Sequence, residues 1–209
     1  MGQANATGSF GGAIAVTKPT EGQISTEIFY HSPTRRTGYI AVEGYEKPFG
    51  SFPIRYNIYS DQLEIIQGGV PINLPTEKVA SFTYVDSTGH QDYFIADDHF
   101  ISIDERSKTK FYQQLFSGNR ASLYRNRAVK IVKQQFNPLD VNGSTEPKVS
   151  IVETFYVEKE KKLFKFTSKK ELILLLESDA VDKFMKEQKT DLRNEQDLVR
   201  LFVYYNEKQ

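Results

Sequence analysis

The stretch KLFKFTSKKELILL, residues 162–175, contains the change of rhythm that decides the fold. Before it, apolar residues recur at every second position, the period of a half-buried strand. After it, Leu172, Leu175 and Leu176 recur at helical spacing. Ser168-Lys169-Lys170-Glu171 sits at the junction with the S-x-x-E spacing of a capping box, in which the Ser hydroxyl and the Glu carboxylate each satisfy an orphan amide at a helix start.

Downstream, Val181, Phe184, Met185 and Gln188 suggest a second helix, with Ser178 or Asp179 as its cap. Asn194 followed by Glu195, Gln196 and Asp197 places acceptors at the positive end of a third helix. Its apolar stripe is Leu198, Leu201, Phe202 and Tyr205. Short amphipathic helices cannot bury such stripes on one another alone, so they should pack on a sheet or a partner.

Upstream, the punctuation is that of β-structure. Phe52–Tyr59 is the clearest strand, with Phe52, Ile54, Tyr56 and Ile58 on one face and Arg55 and Asn57 on the other. Ser60-Asp61 turns the chain into a return strand where Leu63 and Ile65 alternate with Gln62 and Glu64. Gly68-Gly69 reverses it again before Val70–Leu74, and Lys78–Val85 follows. Further strands are expected at Gln23–Tyr30, Gly38–Val42, Gln91–Ala96, Phe100–Ile103, Thr109–Phe116, Arg120–Lys133, Val149–Val157 and Leu163–Phe166. Gly118-Asn119 reads as a two-residue hairpin loop, Lys159–Lys162 as a hairpin cap, and Asn137–Pro147 as the longest and most mobile loop.

The expected fold is mainly β, an antiparallel meander either open or partly closed into a barrel, with a C-terminal segment of short α-helices. Residues 1–12 read as a flexible tail, 13–166 as the antiparallel β domain, and 167–209 as the helical segment packed on the sheet.

Composition removes several classes of function. The chain has no cysteine, which excludes thiolate catalysis and Cys-held zinc or iron–sulfur centres. Lys+Arg and Asp+Glu stand at 27 each, so no global field favours nucleic acid or an anionic membrane. Leu172–Leu176, the longest apolar run, is far too short to span a bilayer. Residues 1–8 show neither the basic nor the apolar region of a secretory signal.

Candidate chemistry is sparse. His31, His90 and His99 are the only histidines, and Asp97-Asp98-His99 with Asp92 and His90 nearby invites a metal or acid–base reading. Neighbouring strand residues diverge, however, so a polar β-turn is preferred. Asp86-Ser87-Thr88-Gly89 has the look of an Asp-Thr-Gly loop with its Gly one residue late, and it too is read as a turn. The sequence contains no Gly-x-Ser-x-Gly elbow and no Gly-rich phosphate loop.

Arg120, Arg125, Arg127, Lys130 and Lys133, interleaved with Leu123, Tyr124, Val129 and Val132, could touch a polyanion, but a solvated strand face is preferred. Tyr30, Tyr39, Tyr45, Tyr56 and Tyr59 could line a ligand cavity or a protein-binding face, against the preferred reading as core and cross-strand pairs. No catalytic, cofactor-binding or metal residue is assigned, and no cofactor is expected.

From about Phe52 to Asn206 the sequence resembles an uncharacterised family of exported β-rich proteins of Bacteroidota. The resembling pieces are Ile54–Ile65 (IRYNIYSDQLEI), KLFKFTSKKELILL, and Asn194–Asn206 (NEQDLVRLFVYYN). The resemblance implies a periplasmic or extracellular location and a non-enzymatic accessory or binding role toward a protein or cell-envelope partner, and it carries no catalytic residues. Two rivals stand beside that expectation: a lipocalin-like small-ligand carrier, suggested by the many short strands and aromatics, and a hydrolase using Asp97 and Asp98.

Overall fold

The computed structural model describes residues 26–86, 88–104, 107, 109–132 and 148–207. The expected tail 1–12, the expected loop Asn137–Pro147 and Lys133 lie outside the described residues. The strands are β1 (Arg36–Val42), β2 (Phe49–Asn57), β3 (Gln62–Gln67), β4 (Val70–Leu74), β5 (Val79–Val85), β6 (Gln91–Ala96), β7 (Ser102–Ile103), β8 (Phe111–Phe116), β9 (Ser122–Val132), β10 (Lys148–Lys159) and β11 (Lys162–Phe166). Three helices follow, α1 (Lys169–Leu176), α2 (Asp179–Glu187) and α3 (Glu195–Glu207).

All eleven strands form one sheet in the order β4-β3-β2-β1-β5-β6-β8-β9-β10-β11-β7. The mainly-β expectation holds, with helices starting where the rhythm changes, and the sheet does not close into a barrel. The pairing is antiparallel throughout except at the far edge, where β7 lies parallel to β11, between segments distant in the chain. β1 is the pivot: the β2–β4 hairpins run out on one side of it and β5 onward on the other.

The sheet coils until its two sides meet. β2 and β8 are separated by three strands in the sheet, yet the Tyr56 and Phe111 rings are 5.4 Å apart. Around them Ile40, Ile54, Phe82 and Phe94 fill the inner face as one apolar cluster, with Phe82 and Phe94 stacked at 4.5 Å. A polar staple fastens the meeting point. The Asp61 carboxylate accepts hydrogen bonds from the Tyr56 hydroxyl and from the Lys110 amide, 3.1 Å away. Lys110 Nζ in turn donates to the carbonyls of Thr76 and Glu77, 2.9 Å from each. Burial raises the Asp61 carboxyl above its ordinary range, although these donors oppose the shift.

The helices cover the other end of the inner face. Leu172, Leu176, Val181, Met185, Leu198, Leu201, Phe202 and Tyr205 pack on Leu123, Phe155, Val157 and Phe166, so the stripes are buried on the sheet as their spacing predicts. Ser168 and Glu171 form the reciprocal capping box. Asn194 Oδ1 accepts from the amides of Gln196 and Asp197. Ser178 occupies the N-cap position of α2 but makes no side-chain cap bond.

Several expectations need correction. The expected strand Gln23–Tyr30 is, in its described part, a 3-10 helix, Thr26–Phe29, followed by a single β-bridge from Tyr30 to Asn57 of β2. Phe100–Ile103 shrinks to Ser102–Ile103, because Asp97–His99 forms a 3-10 turn that carries the chain across the outer face. Glu64, expected on a solvent face, is buried, because Arg35 and Arg55 both reach its Oε1.

The β8–β9 connection is also longer than the Gly118-Asn119 pair, spanning 117–121. Asn206 of α3 holds it: its Oδ1 accepts from the Arg120 amide at 2.9 Å and its Nδ2 donates to the Ala121 carbonyl at 3.0 Å. Gly118 is required here, since a Cβ would lie 2.3 Å from Asn206 Oδ1. Two other reversals are tight two-residue loops with positive φ, Gly68-Gly69 and Glu160-Lys161.

Asn206→Ala should therefore cost about 1 kcal/mol in urea unfolding, the loss of one exposed and one part-buried hydrogen bond to the loop. Ser178→Ala, which breaks no cap bond, should cost much less. Equal costs would refute the clamp.

Candidate functional site

On the inner face, a polar seam runs between the two apolar clusters, across β6, β8, β9 and β10. Strand alternation builds it: Asp92 shares its face with Phe94, Gln113 with Phe111, Arg125 and Arg127 with Leu123 and Val129, and Glu153 with Phe155. Register then sets these side chains beside one another, with Gln113 opposite Arg125 and Arg127 opposite Glu153.

Arg125 is the hub and is only 7 % exposed. Its Nη1 donates to Glu195 Oε2 on α3 at 2.6 Å and lies 3.5 Å from Glu153 Oε1, and its Nη2 donates to Gln113 Oε1 at 2.6 Å. Gln113 Nε2 passes the chain on to Asp92 Oδ1 at 2.9 Å, and Asp92 Oδ2 accepts from Arg36 at 2.9 Å. Arg127 Nε donates to Glu153 at 2.7 Å. Carboxylates thus meet the guanidinium groups along the seam, and the arginines are removed from any role as free cations.

His31 lies partly buried beneath this network. Its Nε2 is 3.2 Å from Gln113 Oε1 and 3.5 Å from Arg127 Nη1, and the ring packs edge-on against Phe94 at 4.7 Å. Burial first, then the positive charges of Arg127 and Arg125, push its pKa down to about 3. The imidazole is therefore neutral across the physiological range, with Nε2 within hydrogen-bond distance of Gln113 Oε1. Burial also lowers the pKa of Arg125.

Where the seam meets α3, a cleft of about 500 Å³ opens, lined in part by His90, Asp92, Gln113, Glu195, Gln196 and Arg200. His90 Nε2 stands 3.7 Å from Asp92 Oδ1, and Arg200 is paired with Asp197. The cleft presents amides and already paired charges of both signs.

The constellation suggested by the sequence is split. His90 and Asp92 lie at one end of β6 and Asp97–His99 beyond the other, roughly 17 Å apart at the rise of an extended strand. Asp98 pairs with Lys110 at 3.2 Å, while His99 packs edge-on against Phe100. Among the described residues no group of three or more potential ligands could hold a metal ion.

Asp86 is a turn residue, its Oδ1 accepting from Thr88 N, Thr88 Oγ1 and His90 N. The basic stretch is a solvated face only in part: Lys130 is exposed, but Arg125 is buried, Arg127 is paired, and Arg120 stacks on the Tyr205 ring at 4.1 Å. The tyrosines divide. Tyr56 is core and Tyr30 lies under Arg55, whereas Tyr39, Tyr45 and Tyr59 are exposed rather than packed as core.

Sequence reading missed the seam. The signal was present in the period-two face Leu123, Arg125, Arg127, Val129, which sets two guanidinium groups in an apolar row and implies buried acceptors. No family model, no curated protein and no solved structure matches this chain.

The state of His31 predicts a pH dependence. The unfolded chain takes up this proton near pH 6.5 and the folded protein only near pH 3. The unfolded state thus binds more protons between those values, and stability is lost as pH falls from about 6.5 toward 3. Chemical denaturation at pH 7.5 and 4.5 should show a loss of a few kcal/mol, and His31→Gln should flatten the part of it between pH 6.5 and 5. Identical slopes in the two proteins over that interval would contradict the assignment.

Proposed function

We propose that the protein is a non-enzymatic binding protein that acts outside the cytoplasm on a cell-envelope or protein partner. The observation that carries this reading is the condition of the seam. Arg125 is bound to Glu195 and Gln113, Arg127 to Glu153, Arg36 to Asp92, and His31 is neutral and hydrogen-bonded to Gln113. Groups that could move protons or polarise a substrate are spent on one another, so they serve as a rigid floor beneath a recognition surface. The extracytoplasmic location rests on the resemblance to exported β-rich proteins.

The other expectations fit this geometry less well. A carrier of lipocalin-like design needs a hollow inner face, but the rings of Tyr56, Phe82, Phe94 and Phe111 occupy that space. A hydrolase working through Asp97 and Asp98 would need their carboxylates aimed together at an open site, and Asp98 is held by Lys110.

Purified protein assayed on simple esters, phosphates and glycosides should show no turnover, and in-cell crosslinking should return a specific partner. Turnover that Asp97→Asn/Asp98→Asn or Asp92→Asn/Glu195→Gln abolishes would overturn the proposal.

A further inference from the structure

The outer face of the sheet carries a row of side chains in direct cross-strand register. Gly50 on β2 pairs with Tyr39 on β1, Tyr39 with Thr83 on β5, Thr83 with Tyr93 on β6, Tyr93 with Gln114 on β8, and Gln114 with Tyr124 on β9. At the β9 end the row is covered: Tyr124 is buried against Phe100, and its hydroxyl accepts from Gln114 Nε2 at 2.7 Å. Toward β1 it opens: Tyr39 is 44 % exposed, Thr83 and Gln114 are half-buried, and Tyr93, half-buried between them, packs one side against the covered cluster.

Two features make the open end a platform. The Tyr39 ring lies across Gly50, since a Cβ on that glycine would fall 2.0 Å from Tyr39 Cδ1, so the ring is laid down along the sheet instead of standing off it. Tyr39 and Tyr93 are two strands apart, hence about 10 Å, with the Thr83 hydroxyl between them. Beside Tyr39 a shallow hollow of about 560 Å³ is walled by Arg35, Arg36, Thr37, Val85 and Asp86. Arg35 and Arg36 are ion-paired there with Glu64 and Asp92.

The alternate residues of β1, β5 and β6 that share this face with Tyr39, Thr83 and Tyr93 include no Asp, Glu, Lys or Arg, in a chain that is 26 % charged. A ligand that complements this surface carries no net charge, offers flat C–H faces to aromatic rings, and bears hydroxyls for a threonine, an amide and half-exposed guanidinium edges. We infer that the outer face from Tyr39 to Gln114 binds a neutral polysaccharide chain, laid across the strands with sugar rings two apart along the chain seated on Tyr39 and Tyr93. The inference rests on the binding-protein reading and names its surface and ligand class.

The test is affinity electrophoresis of the full chain through gels containing soluble neutral polysaccharides (a β-glucan, a xylan, a galactomannan, dextran) or anionic ones (alginate, polygalacturonate). At least one neutral polymer should retard the protein. Tyr39→Ala and Tyr93→Ala should each weaken that retardation about tenfold, while Tyr59→Ala, exposed but off the row, leaves it unchanged. Tyr93→Phe, which keeps the ring, should retain binding, and matching thermal unfolding of Tyr39→Ala and wild type will show that the effect is not misfolding.

Failure of every neutral polymer to retard the protein, retardation by anionic polymers alone, or undiminished binding in Tyr39→Ala overturns the inference and leaves a protein partner for the binding reading. Release of new reducing ends from a retarding polymer would instead overturn the non-enzymatic reading while keeping the surface.

Discussion

The Arg125 guanidinium, drawn between Glu195 on the third helix and Gln113 on the sheet, is the constraint on which the rest of the arrangement depends. It sits where two apolar clusters meet, one enclosed by the coiled sheet and one lying under the helices. A buried cation is tolerated only with acceptors on several sides, so its presence dictates the identities around it. Gln113 must accept from Arg125 and hand its own amide to Asp92; Asp92 must then hold Arg36; His31 must stay neutral among the arginines. A chain of local requirements thereby fixes how the helices are oriented on the strands, which apolar packing alone would leave loosely specified.

A second set of contacts controls curvature. The Asp61 staple to Tyr56 and Lys110 joins the β2–β3 turn to the entrance of β8, and the sheet bends to let it form. The ring cluster then fills the inside of the bend. The result is a sheet with a packed inner face and an outer face left partly open, and the crossing segment that carries the Asp97–His99 turn and β7 covers only its far part. Apart from the cleft beside α3, the inner face is given over to holding the fold, whereas the outer face leaves Tyr39 exposed.

Much of this architecture was legible in the chain. The capping box at Ser168, the stripe Leu198–Tyr205 and the alternation that begins at Phe52 each state their element through spacing alone; the helix signals stand as read, while the strand expected at Phe52–Tyr59 runs Phe49–Asn57 and gives way to the turn at Ile58. What could not be read depends on contacts between residues far apart in sequence. Glu64 alternates with Leu63 and Ile65 as a solvent residue should, and only the arrival of Arg35 and Arg55 makes its burial affordable. Arg125 belongs to a run that reads as a basic surface, until Glu195, 70 residues on, turns it inward. The tyrosine row has no sequence signature at all, since its members are joined by register across five strand pairings, that of Tyr39 with Thr83 spanning three intervening strands in the chain, and not by spacing along the sequence.

Asn206 closes the loop between β8 and β9 from the last turn of the last helix. The amide thus ties the end of α3 to a loop 85 residues earlier in the chain. Fraying of that one helical turn frees the β8–β9 connection with it, so the helix end and the loop should exchange their amide hydrogens together.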